Sequence, residues 1–400
     1  MRVDGRVTSP TYSRARADGS DRSRPGDSGD LGHRRPLSID GARYSSRMAI
    51  EQPSNPILVE AMRGGMRESV HRGAVVIVDA EGRRVVALGD VERAVFPRSA
   101  VKLLQAIPLV ESGAAERLDL DDQELAIACA SHNGEPAHVA VVERMLGKAG
   151  LDASALECGA HWPRQTPVAN AIAAEHREPS ALHNNCSGKH AGFLCLACML
   201  AGRGHVRQYA KGYVAPRHPV MRAITEALQA ATGHDLGHAP RGIDGCSIPT
   251  FAIPLHALAL AFARVGSGTG LRPGHARAAA RLRQAVASEP FMAAGSDRFD
   301  TEVMQALGER VYCKVGAEAV FCASFPERGL GVAIKIDDGN TARAAEVAMA
   351  ATIEAFVELD ADEAALLHRL SEVHLRNWNG IEVGTLRATD ALRDGLGRRA

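Results

Sequence analysis

Lysine is the scarcest charged residue in this 400-residue chain: six lysines, at positions 102, 148, 189, 211, 314 and 335, stand against 41 arginines. A sequence that uses arginine wherever a fixed positive charge will serve keeps lysine where a compact ammonium, or an amine able to lose its proton, is required. Those six positions are therefore the first places to look for chemistry. Aromatic residues are also few, at 4%, and the formal net charge is zero with no dense basic stripe, which speaks against a nucleic-acid surface. No apolar run approaches the roughly 18 to 20 residues that cross a bilayer, and no charged-then-apolar leader opens the chain. The twin arginines 34 and 35 lead into "PLSID" instead of an apolar stretch. A cytoplasmic protein with a small-molecule partner, and with no membrane or nucleic-acid partner, is the expectation. Eight cysteines in so long a chain without a leader read as thiols or ligands rather than as a disulfide framework.

What is present is a globular chain, 46% hydrophobic, preceded by a tail. Residues 1–47 hold ten arginines, six aspartates and no lysine, with no apolar periodicity to offset the entropy of ordering them. They read as disordered, with 48–400 as the folded domain and Met48 as an alternative start. From Gly73, "GAVVIVDAEGRRVVALGD" is two β-branched runs around a turn, a hairpin pattern. Apolar spacing then predicts helices near 99–112, 122–130, 136–149, 167–176, 187–201, 217–232, 254–266 and 273–288. Strand patterns return in "RVYCKVGAEAVFCASF" and "GLGVAIKIDDG", followed by an amphipathic helix around 341–359. Strands at both ends around a helical lobe of about 115–300 predict an α+β fold. Its sheet is mostly antiparallel, completed by both chain ends, with helices packed on it.

Four stretches carry candidate chemistry. Ser99-Ala-Val-Lys102 follows Pro97-Arg98 at a helix start, so the spacing of three puts a hydroxyl and an amine on one face. A lysine in a poorly solvated cleft has a lowered pKa and can take the serine proton, as in Ser-Lys acyl enzymes. Alternatively Ser99 is a helix cap and Lys102 a surface residue. "CASHNGEPAH", residues 129–138, packs Ser131, His132, Asn133 and Glu135 into a short loop that suits a site wall or a plain helix connection. Lys314-Val-Gly316 lies on a strand, where the glycine removes bulk beside an amine. "ALHNNCSGKHAGFLCLACML", residues 181–200, is polar at its start and greasy after it. It is not a phosphate loop, since His183 and His190 stand where that motif needs glycine and Ser or Thr. Cys195 and Cys198 read as core thiols, while Cys186, Lys189 and Cys246 make a zinc-like site conceivable provided the lysine amine is deprotonated.

Taken together, "RSAVK", "SHNGEP", "HNNCSGKHAGFL", "YVAPRHPV", "GIDGCSIP" and "CKVGAEAVF" occur in the order found in the asparaginase II, or Rhizobium-type, family. The resemblance runs from about 53 to about 385, ending with "NWNGIEVG". It implies a serine β-lactamase or glutaminase-like fold and hydrolysis of L-asparagine to aspartate and ammonia. It also implies two Ser-Lys pairs: Ser99 as nucleophile with Lys102 as its base, and Ser131 with Lys314 assisting. A Zn2+ ion would sit on Cys186, Lys189 and Cys246. Arg98, as a planar fork for the α-carboxylate, joins Asn133, Asp244 and His190 as candidates to hold substrate. A homodimer is the default assembly. Two other readings stay open, an esterase-like or penicillin-recognising acyl enzyme and a non-catalytic metal-binding module.

Overall fold

The β-branched run that opens at Gly73 is the second half of a longer strand, Met66–Asp79, around which the main sheet is organised. Its first half pairs with Ile57–Arg63, and its second half with both Leu330–Ile336 and Arg84–Leu88. Across the sheet the order is 372–376, 382–388, 57–63, 66–79, 330–336, 320–325 and 312–315, with 84–88 branching from 66–79. Its strand pairs are antiparallel throughout. The fold is therefore the expected α+β arrangement, an antiparallel sheet drawn from both ends of the chain and flanked by helices. The computed structural model describes residues 54–202 and 204–397, so the tail read as disordered lies outside the described residues.

Two parts of the sheet were not foreseen. Ile57–Arg63 and the hairpin Glu372–Arg376 with Glu382–Ala388 pair with one another, Val59 opposite Ala388. The strand centre holds a buried carboxylate, Glu60, between Arg67 at 2.6 Å and Arg387 at 3.0 Å. Burial alone would push that carboxyl up, and the two guanidiniums hold it below its ordinary value instead.

Between the strands at 84–88 and 312–315 the chain is mainly helical, and each expected helix is there, within a few residues of its predicted bounds. Local chemistry sets several of those bounds. Asp121 and Glu124 form a reciprocal cap on Asp122–Ala128, proline occupies the first turn of Pro136–Lys148, Pro219–Thr232 and Pro273–Ser288, and left-handed glycines close at Gly233 and Gly268. Ser187–Ala201 is buried on every side along its first eleven residues, which is why its sequence is apolar all round. Gly188 and Gly192, one turn apart, let it lie close against Asp122–Ala128: a Cβ on Gly188 would meet the Ile127 carbonyl, and one on Gly192 would stand 3.2 Å from the Ala128 Cβ. The polar start of this helix is thereby carried into the interior. Cys195 in its core is buried, Cys198 is half-buried, and all eight cysteines are free thiols. Leu255–Ser267 covers one face of the sheet, approaching so near that Gly331 has room for no side chain beside Ala259 and Ala263. Among the described residues no helix is long and apolar enough to cross a membrane.

Candidate active site

The α-helix expected at 99 begins at Lys102, and Arg98–Val101 before it is a 3-10 turn. Three residues per turn still sets positions 99 and 102 on one side. Arg98 holds a left-handed φ of +53°, a strained setting for a residue with a Cβ, so the chain bends sharply into Ser99. Lys314 lies on the edge strand Tyr312–Val315, whose end packs on this same turn. A Cβ on Gly316 would fall 2.5 Å from the Pro97 carbonyl oxygen and 3.1 Å from the Ala100 nitrogen. The glycine thus makes room for the protein's own backbone, the turn that carries Ser99.

Ser99, Ser131 and Asn133 line one cavity of about 520 Å³, together with Val315 and Gly316, the two residues after Lys314. Behind it both lysines are buried. Lys102 donates to the carbonyls of Ala130 and Asn185, the latter at 3.3 Å. Lys314 donates to its neighbour Val315 at 2.9 Å, and among the described residues its one close carboxylate is Asp300 at 3.6 Å. Burial pulls both amines towards the neutral form, Lys314 down to about 8 against the opposing charge of Asp300. The Ser131 hydroxyl is buried without a hydrogen-bond partner, and among the described residues no hydrogen bond joins either serine to either lysine. The serines thus border the cavity while the buried lysines stand in the layer behind its lining, not locked to them, a geometry that substrate binding commonly tightens.

The loop carrying Ser131 is rigidly held. Its backbone N–H donates to Ala293, and Asn133 donates to the Ser296 carbonyl at 2.9 Å. His132 accepts from the Gly134 N–H at Nδ1 and so donates from Nε2 to Ser187 Oγ at 3.0 Å. Burial holds this imidazole neutral. Glu135 is taken up by Ser296 and Asn133 by Ser296, Glu135 and Arg298, so of the loop's polar groups it is the Ser131 hydroxyl that meets the cavity unengaged.

Cys186, Lys189 and Cys246 also come together. Cys246 donates to Cys186, which lowers the Cys186 thiol well below its ordinary range against its burial, with Lys102 and Lys189 adding to the effect. Lys189 Nζ stands 3.1 Å from Cys246 Sγ. Burial disfavours its charge, but the two sulfurs and Asp244 outweigh burial and keep it an ammonium. Two sulfurs in contact fit a soft divalent ion such as zinc, whereas Lys189 fits as a ligand only after giving up its proton. Among the described residues no group of three or more His, Cys, Asp and Glu side chains is arranged to hold a metal.

The remaining candidates lie outside the lining of the serine cavity. Arg98 is tied to Asp244 at 2.8 Å and borders an adjoining hollow with Arg93, Phe96 and Lys335. His190 is buried, its Nδ1 2.6 Å from the Tyr213 hydroxyl and its Nε2 without a partner. In their place the structure brings residues into the wall that sequence reasoning passed over: Arg164, Gln165, Asp297, Arg298, Thr341 and Glu346. The arginines had no signal, being two among 41. Glu346 opens the helix Glu346–Phe356, where an acidic residue reads as a partner of the helix dipole.

Comparison with curated proteins returned no significant match. Among solved structures, the one described as "Crystal Structure Analysis of Mglu in its tris and glutamate form" is similar at 16% identity over 73% of this chain, with a TM-score of 0.30. The match spans 61% of that protein's length and is too loose to bear on the fold. The family model for L-asparaginase II matches residues 59–388. That span takes in both serines, the three buried lysines and the cysteine pair, and the chain belongs to the L-asparaginase II family.

Proposed function

We propose that this protein hydrolyses L-asparagine to L-aspartate and ammonia through Ser99, with Lys102 as its base and the Ser131–Lys314 couple passing protons. The observation that supports this most is the meeting of two serines, one of them a buried hydroxyl with no partner, in one cavity backed by two buried amines, with Lys314 drawn down to about 8. A serine is inert at neutral pH until a base takes its proton, and an amine whose affinity for a proton burial has lowered can do so in its neutral fraction.

In the first half-reaction Ser99 Oγ bonds to the side-chain amide carbon while its proton passes to Lys102. The tetrahedral adduct collapses as the C–N bond breaks, and a lysine proton leaves with the nitrogen as ammonia. Water then attacks the aspartyl ester, giving its proton to the amine, and the ester C–O bond breaks to return a protonated Ser99 and free aspartate. Ser131, whose hydroxyl has no competing partner, can relay protons between the cavity and Lys314. A zinc ion would be held by Cys186 and Cys246, with Lys189 joining only after losing its proton, and would supply Lewis acidity there.

Ammonia release from L-asparagine and L-glutamine, assayed for wild type, Ser99→Ala, Lys102→Met and Ser131→Ala, tests the reading. Activity on asparagine should fall by at least about 10³-fold in the first two, and an aspartyl adduct on Ser99 should be trapped by acid quench and mass spectrometry. Substantial turnover in both Ser99→Ala and Lys102→Met would overturn the assignment of nucleophile and base. A stable β-lactam adduct with no amide turnover would favour an acyl enzyme of another kind.

A further inference from the structure

We propose that Arg298 and Glu346 recognise the two charged groups of a free α-amino acid amide, Arg298 taking the α-carboxylate and Glu346 the α-ammonium. The inference rests on the hydrolase reading for its substrate and names what that substrate must carry besides the amide. Both residues line the cavity shared by Ser99 and Ser131, and both are partly buried.

Arg298 is fixed by neutral acceptors alone: one terminal nitrogen donates to the Ser131 carbonyl at 3.3 Å and to Asn133 Oδ1 at 3.2 Å. Its position is thus set by the loop that carries Ser131, while no carboxylate comes within ion-pair reach to neutralise its charge among the described residues. The other edge of the guanidinium makes no bond, and that edge has the fork geometry that matches a carboxylate.

Glu346 is the complementary case. Among the described residues it has no hydrogen-bond or ion-pair partner, an unusual condition for a carboxylate at a cavity wall. Burial first, and then the nearby charges of Asp300 and Glu302, push it up to about 7, with Arg298 pulling the other way. A group in that state gains from an arriving cation, and an ammonium is the cation that an amino-acid substrate brings. The other charged residues of the wall do not fit the role as well. Arg164 and Asp297 stand exposed at the rim, and Asp297 already accepts from Gln165 at 3.4 Å. The turn before Glu346, Thr341–Ala345, is a single π-type turn whose Thr341 and Ala342 also border the cavity. Single π-type turns of this kind are found frequently at functional sites. An asparagine inside a peptide carries neither charged group, so the site selects free amino acids over peptide side chains.

The test compares three amides in each protein: L-asparagine, succinamate, which lacks the amino group, and 3-aminopropanamide, which lacks the carboxylate. In Glu346→Gln the kcat/KM preference for asparagine over succinamate should fall on the order of 10- to 100-fold, and in Arg298→Gln the preference over 3-aminopropanamide should fall likewise. Glu346→Asp should retain most of its preference. Each ratio is read within one variant, so a loss of folded material cancels. Equal losses on all three amides would overturn the proposal, because they would mark a structural role or a role in the chemical step. Calorimetric binding of L-aspartate and succinate separates this inference from the hydrolase reading. If wild type turns over no amide yet binds aspartate at least ten times more tightly than succinate, and Glu346→Gln erases that margin, the recognition stands and the hydrolase reading falls. If wild type neither hydrolyses these amides nor prefers aspartate, both fall.

Discussion

Replacing Gly316 by alanine tests how the edge strand and the serine turn hold each other. The backbone there has φ −111° and ψ 167°, a conformation open to any residue, so space alone decides the outcome. The added Cβ would lie 2.5 Å from the Pro97 carbonyl oxygen, 3.1 Å from the Ala100 nitrogen and 3.2 Å from the Val320 carbonyl oxygen. All three neighbours are backbone, which cannot swing aside as a side chain tip does. The strand end or the Pro97–Ala100 turn must therefore move by about an ångström. Overpacking of this kind costs roughly 1–3 kcal/mol, and displacing a reacting group by about 1 Å costs on the order of 10²-fold in rate. Gly331→Ala supplies the contrast, since its Cβ would clash with Ala259 and Ala263 on the helix that covers the sheet. It should lower the melting temperature at least as much as Gly316→Ala, with a far smaller loss of kcat per folded molecule. Ammonia release with calorimetric or spectroscopic melting reads both. A Gly316→Ala protein with wild-type kcat and wild-type melting temperature would refute the reasoning.

Three further outcomes follow from the charges. If Lys314 works as a neutral amine with a pKa of about 8, kcat/KM should climb as pH rises through 8, with only about a tenth of the amine free at pH 7, and Lys314→Met should abolish that limb; a profile that falls from pH 7 to 9 would contradict it. Burial pushes the Cys129 and Cys158 thiols up to about 12 from an ordinary 9, so between those values the unfolded chain releases protons that the folded one keeps. Stability should therefore fall as pH rises from about 9, the opposing contribution of Lys314 being smaller, and a urea midpoint that holds steady from pH 8 to 10.5 would count against it. Glu124 is fully buried and joins Arg144 at 3.0 Å to Lys148 at 2.7 Å, bridging the helices 122–128 and 136–148. Glu124→Ala removes the carboxylate the two cations share, while Arg144 keeps Asp121 at 2.8 Å and Lys148 keeps the Asp119 carbonyl, so the cost in urea unfolding should be roughly 1–3 kcal/mol, and an unchanged midpoint would show that the network carries no stability.

The helices were legible because each is a local object. The spacing of apolar residues, a proline in the first turn and a glycine past the end all lie within a few positions of one another. The centre of the sheet was legible, in the hairpin at 73–88, in the β-branched runs that became 312–315, 320–325 and 330–336, and in its completion by both chain ends. Ile57–Arg63 finds its partner in Glu382–Ala388, more than 300 positions away, and the polar pattern of Glu372–Arg376 and Glu382–Ala388 reflects a sheet end that is half exposed. Pairing at that separation leaves no mark in either segment alone. Helices Phe299–Leu307 and Ala361–Ser371 escaped notice too, although the second begins with the same reciprocal Asp–Glu cap that marks Asp122–Ala128. That signal was available at Asp360 and Glu363.

Scarcity of lysine drew attention to six positions, three of which are buried, but what each amine does depends on neighbours that scarcity cannot name. Lys102, Lys189 and Lys314 are the three buried lysines, and the other three are partly or fully exposed. Of the buried three, Lys189 faces two sulfurs and Asp244, which keep it charged despite burial. Lys314 has a single carboxylate at 3.6 Å, too little to offset burial, and so it becomes an amine that can accept a proton. Arginine has no such choice, because its guanidinium stays charged whatever surrounds it. Arg298 could therefore be told from the other arginines only by its position against Ser131 and Asn133, and that position exists only once the loop at 129–135 and the start of the helix at 299 are brought together. Residues that bind through a fixed charge are invisible in an arginine-rich sequence for the same reason that residues acting through a movable proton stand out in it.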